Sequence, residues 1–115
     1  MRSLLTLSFF AVVASSQAAI LTQWNFNSTS SDANTATGTT LPAIGTGTAS
    51  IVGGVTATFA SGDASGGSTD PNVGDDSAWN TTAYAAQGTG DKTRGVQFLV
   101  STVGQQNIMV TWDIR

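Results

Sequence analysis

The chemistry this chain can offer is concentrated in Asp70-Pro71-Asn72-Val73-Gly74-Asp75-Asp76, with Asp63 upstream. Hard oxygen donors at short spacing in a glycine-rich loop suit calcium, so Asp70, Asn72, Asp75 and Asp76 are the candidate ligands. Their order departs from the EF-hand loop, which needs Gly after its third ligand and Glu at its end. The plainer alternative is an acidic, solvated turn, because Asp-Pro and Gly-Asp steps favour turns. Just downstream, Trp79 and Tyr84 stand in polar sequence as a candidate stacking platform for a sugar ring, with Asn80 and Asp76 as hydrogen-bond partners. Against that, Trp79 is expected to plug the open end of a sheet structure beneath the loop. One indole on a loop rarely makes a binding site by itself. Asp113 and Arg115 fall on one strand face, opposite Trp112, as a surface ion pair worth at most about 1 kcal/mol.

Much chemistry is excluded outright. The chain has no cysteine and no histidine, so zinc sites built on either, thiol catalysis and a Ser–His–Asp triad have no members here. A catalytic carboxylate pair needs a cleft and a second acid of shifted pKa, and the sequence offers neither. Gly45-Thr46-Gly47 lacks the lysine and following helix of a phosphate cradle. The expectation is a protein that is not an enzyme, with calcium as its one candidate cofactor.

The elements that must position these residues read as strands. Thr, Val, Ser and Gly are abundant, every acidic residue is Asp, and no segment is an amphipathic helix. Four segments alternate with period two. Ile20–Asn27 sets Ile20, Thr22, Trp24 and Phe26 on one face. Ala49–Phe59 is interrupted by Gly53-Gly54, which suits a two-residue hairpin turn or a bulge. Gly95–Val103 alternates Val96, Phe98 and Val100 against Gln97, Leu99 and Ser101. Asn107–Arg115 is the cleanest, with Ile108, Val110, Trp112 and Ile114 facing one way. Gly104-Gln105-Gln106-Asn107 is short enough to join the last two as an antiparallel hairpin. The polar stretches Ser28–Thr48 and Ser61–Thr93 are long for loops and are expected to hide short strands or to be mobile. For Ser28–Thr48 the alternative is a low-complexity linker.

The first eighteen residues are set apart. Arg2 precedes the apolar run Leu4–Ala14, and Ser16 and Ala18 flank Gln17 at the exit. That is the pattern of a secretory signal peptide, with cleavage expected after Ala18. The run is well short of the roughly twenty residues a bilayer crossing needs, so the mature chain is not expected to insert in a membrane. Residues 1–18 are thus a leader helix and 19–115 one small domain. The whole chain carries a net charge of −3, and loss of Arg2 takes it to −4. Such a balance argues against nucleic acid and against an anionic membrane surface.

The segments Gln23-Trp24-Asn25-Phe26-Asn27, Ala78-Trp79-Asn80 and Gly95–Gly104 running into Asn107–Arg115 resemble the N-terminal modules of large bacterial exoproteins. Many of that group carry a PEP-CTERM-type sorting tail, and some are extracellular nucleases or phosphoesterases. The tail itself has no counterpart here. The resemblance implies an all-β, antiparallel jelly-roll-like sandwich, appended to something larger and secreted or held at the cell surface. In a bacterial chain, Asn27-Ser28-Thr29 and Asn80-Thr81-Thr82 match the glycosylation pattern by accident of composition.

The best strand runs to the last residue and four strands leave an inner face thinly covered, so a truncated sandwich is expected. Strands beyond Arg115, or a partner chain, would close the sheet. The expected role is a non-catalytic structural or binding module. Two alternatives stand beside it. One is a carbohydrate-binding module taking polysaccharide on Trp79 and Tyr84. The other is an accessory domain of an extracellular hydrolase whose catalytic part lies beyond Arg115.

Overall fold

The computed structural model describes residues 18–63 and 76–114. The leader helix expected over residues 1–18 lies outside them, save for its last residue. Every regular element among the described residues is a β-strand. In chain order these are β1 (Thr22–Gln23), β2 (Ile44–Gly45), β3 (Thr48–Val52), β4 (Thr56–Ser61), β5 (Ser77–Thr82) and β6 (Gly95–Leu99). They form three antiparallel two-stranded ladders, β1 with β2, β3 with β6, and β4 with β5.

Register explains which side chains turn inward. In the β4–β5 ladder Ala57 lies across from Thr81, Phe59 from Trp79 and Ser61 from Ser77. This face is half-buried to buried, while Thr56, Thr58, Asn80 and Thr82 on the other face are exposed. There the Thr56 and Thr82 hydroxyls bond each other at 2.8 Å, and Asn80 Nδ2 donates to Thr58 Oγ1 at 3.4 Å. In the β3–β6 ladder Ala49 lies across from Phe98 and Ile51 from Val96. Alternation along each strand thus gives one aromatic face per ladder.

The aromatic faces meet. Phe98 of β6 and Trp79 of β5 contact with ring centroids 6.2 Å apart, nearly edge to face. Trp24 packs edge-on against Phe98 at 5.0 Å, and Phe26 stacks on Trp79 at 5.6 Å. Trp24 also donates its indole N–H to the Thr40 carbonyl at 3.0 Å, which removes the cost of burying that donor. Gly38 lies hard against this cluster: a Cβ there would meet the Phe26 carbonyl and the Phe59 ring. Val55, at 2% exposure, is the one fully buried aliphatic side chain among the described residues.

Three departures from the sequence reading have local causes. Gly53-Gly54 is a tight turn, with both residues at positive φ (68° and 85°) and Val55 N–H donating to the Val52 carbonyl at 3.5 Å. The strands it joins do not pair with each other: β3 goes to β6 and β4 to β5, so the turn is a corner between ladders. The first strand is cut to Thr22–Gln23, because Phe26 adopts left-handed backbone (φ 62°) and cannot continue a ladder. The fourth segment forms no strand. A turn closes with Gln105 N–H on the Thr102 carbonyl at 3.0 Å, but Asn107 then takes φ 56°. Ile108–Ile114 runs on exposed.

Both polar stretches hide a strand, β2 in the first and β5 in the second. The first is also organised by side chains rather than being a featureless linker. Asp32 accepts from Asn34 N–H at 2.8 Å, Thr37 Oγ1 at 2.8 Å and Ser28 Oγ at 3.3 Å. Asn34 in turn accepts from Ala36 N–H at 3.1 Å. Short polar side chains here replace the backbone ladder that the segment lacks.

Candidate functional site

Of the two aromatics read as a stacking platform, one is a packing ring and the other is exposed. Trp79 belongs to the core cluster, with its ring against Phe26 and Phe98. Tyr84 lies beyond the end of β5 and is about half exposed, its hydroxyl bonded to Thr81 Oγ1 at 2.6 Å. Of the suggested partners, Asn80 sits on the outer face of β5, where its Nδ2 donates to Thr58 Oγ1.

Asp70, Asn72 and Asp75 of the calcium reading lie outside the described residues. Asp76 is described and precedes β5. Its carbonyl accepts from Gly62 N–H at 2.7 Å, and its buried Oδ1 has no hydrogen-bond partner among the described residues. Asp63, at the end of the described first part, is exposed. Asp113 is exposed on the chain's C-terminal run, and Arg115, its expected ion partner, lies outside the described residues.

Around Tyr84 the chain builds a concavity that sequence reading missed. Residues between β5 and β6 fold into two tight turns, Thr89 N–H on the Ala86 carbonyl at 3.0 Å and Thr93 N–H on the Gly90 carbonyl at 3.1 Å. Gly88 supplies the positive φ inside the first turn (79°), and Lys92 that inside the second (61°). The result is an open hollow of about 300 Å³, lined by Tyr84, Thr89, Thr93 and Arg94. A second of about 230 Å³ shares that wall and adds Asp91 and Lys92. Arg94 Nη1 donates to the Ala83 carbonyl at 2.8 Å, which fixes its guanidinium across the loop. The missed signal was cationic: beyond the leader the chain has only Lys92, Arg94 and Arg115, and two of these are on this loop. A phenol, hydroxyls and a fixed guanidinium in one hollow can stack on and hydrogen-bond a small polar ligand.

A second polar group is structural. Asn27, 3% exposed, accepts from Ser77 N–H on its Oδ1 at 2.8 Å, and Ser77 Oγ donates to the Thr37 carbonyl at 2.7 Å. The Asn27-Ser28-Thr29 glycosylation pattern therefore has its asparagine sealed in the fold, while Asn80 of the other pattern is exposed. Asp32 is the group among the described residues whose ionisation the fold clearly moves. The Asn34 N–H first, then the Thr37 hydroxyl, hold its carboxyl below the usual value of 3.8.

No family model, curated protein or solved structure matches the chain. No helix among the described residues is long and apolar enough to cross a membrane.

Proposed function

We propose that this chain is an exported, non-catalytic module: a jelly-roll-like β-sandwich that serves a secreted or surface protein as a structural or binding unit. The observation that carries this reading is the aromatic cluster of Trp24, Phe26, Trp79 and Phe98, which joins two ladders through their apolar faces. Trp79 packs against Phe26 and Phe98 in that cluster, as an inward ring of a sandwich would. The leader-like start and the likeness to modules of PEP-CTERM-sorted exoproteins support export. Edge strands without a described second neighbour support a role in contact with other chains. The test is fractionation of the producing cells with N-terminal sequencing of the product. A mature chain starting at Ala19 in the medium or on the surface is expected; an intact Met1 form held in the cytoplasm contradicts export.

One observation favours a second reading, a carbohydrate-binding module. The Tyr84–Arg94 hollow combines an exposed phenol and a guanidinium donor with the Thr89 and Thr93 hydroxyls, which give their protons to the Ala86 and Gly90 carbonyls and are left as acceptors. Retention of the secreted protein on insoluble polysaccharide, lost in Tyr84→Ala and Arg94→Ala, is the outcome that reading requires. No retention of the unmutated protein ends it.

A further inference from the structure

We propose that the hollow between Tyr84 and Arg94 selects an acidic sugar, one whose ring carries a carboxylate or a sulfate. The inference rests on the carbohydrate-binding reading of that hollow and names its ligand class. Charge is the first observation. Lys92 and Arg94 are the only cationic side chains among the described residues, and both stand on this one loop of an acidic chain. Neither is paired with a carboxylate among the described residues. Arg94 lines both hollows and Lys92 the second. The bond from Arg94 to the Ala83 carbonyl uses one guanidinium N–H and leaves the rest for a ligand.

Donors and acceptors divide in a way that fits such a ligand. Thr89 Oγ1 gives its proton to the Ala86 carbonyl at 2.9 Å and Thr93 Oγ1 to the Gly90 carbonyl at 2.5 Å, so both hydroxyls meet a ligand as acceptors. Sugar hydroxyls donate to them, while an anionic substituent takes the charged N–H groups of Arg94 and Lys92. Tyr84, about half exposed, offers its ring to the sugar. The backbone supplies a second observation. Lys92 holds the left-handed position of the Gly90–Thr93 turn (φ 61°), where glycine would be unstrained, so that residue contributes its ammonium rather than ease of turning. Ala83, also left-handed (φ 62°), turns the chain out of β5 and presents the carbonyl that holds Arg94. Asp91 lines only the second hollow, which assigns the anionic group to the first, over Arg94. A nucleic acid or an anionic membrane would set many like charges against the chain's aspartates, whereas a short acidic glycan brings its charge to the two cations.

The test is calorimetric titration of the secreted protein with a trimer of galacturonic acid, its neutral methyl ester, a sulfated galactose trimer and tripolyphosphate. The acid or the sulfated trimer is expected to bind about tenfold or more tighter than the ester, and the stronger of the two tells carboxylate from sulfate. Added salt is expected to narrow that gap. Lys92→Gln and Arg94→Gln should each lose most of the preference, while Asp91→Asn, which removes a like charge, should widen it. Tyr84→Ala should weaken binding of the sugars. An ester bound as tightly as both charged trimers overturns the proposal and leaves the carbohydrate reading standing. Failure of every sugar to bind ends both. Tripolyphosphate bound as tightly as the sugars, with Tyr84→Ala without effect, overturns it in favour of a simple anion site. Lys92 is exposed, so its variant is expected to fold. Should Arg94→Gln fail to fold, Lys92→Gln and the comparison of acid with ester on the unmutated protein still decide.

Discussion

At the scale of single residues, buried polar groups separate structure from chemistry. Asn27 reads in the sequence only as part of an accidental glycosylation pattern, because nothing but its Asn-Ser-Thr context is visible there. Its real task depends on Ser77, far along the chain, whose N–H it satisfies inside the fold. Asn27→Ala leaves that donor buried without its partner and is expected to cost about 1–3 kcal/mol, measured by urea unfolding. Asp32 acts at the surface. Its folded pKa is depressed, so its contribution is present above the unfolded value near 3.8 and is lost as pH falls through the folded one. Asp32→Asn is therefore expected to flatten the acid-side fall in the unfolding midpoint as pH drops below the unfolded value near 3.8. An unchanged slope contradicts the hydrogen-bonded carboxylate. Arg94 escaped notice because its value lies in a bond to the Ala83 carbonyl, which spacing along the chain does not reveal.

At the scale of elements, legibility followed the strength of alternation. The strands β3, β4 and β6 were readable because Ile51, Phe59, Val96 and Phe98 mark one face of each ladder. By contrast, β5 was hidden: Ser77, Trp79 and Thr81 share its inner face, and only one of them is apolar. Two other failures arose from backbone conformation. Phe26 and Asn107 both sit at positive φ, where a non-glycine residue is uncommon and alternation gives no warning. Gly53-Gly54 was legible as a turn but not as a corner, since only tertiary pairing says where each arm goes. The corner makes a graded prediction. At Gly54 a Cβ would meet nothing, so Gly54→Ala costs only the left-handed strain, about 1 kcal/mol. At Gly53 it would also meet the Thr93 carbonyl, just before β6. Gly53→Ala is thus expected to destabilise clearly more, and equal thermal shifts in the two variants would contradict the corner packing.

At the scale of the whole molecule, two ladders are held as one body by four rings rather than by a broad aliphatic core. Val55 is nearly alone as a buried aliphatic among the described residues, so each ring carries an unusual share of the packing. The all-β class was legible from composition and period. The core's centre was legible only in part, because Trp79 stands in a stretch that reads as polar loop. Its two readings, plug and platform, differ in what its removal does, and one variant separates them. Trp79→Ala should be followed by equilibrium unfolding and, on the same preparation, by retention on insoluble polysaccharide. A core ring predicts a loss of about 2–4 kcal/mol with the unfolding midpoint moving accordingly. Full stability, with loss of retention that the unmutated protein shows, would contradict the packing role and make Trp79 a ligand platform after all.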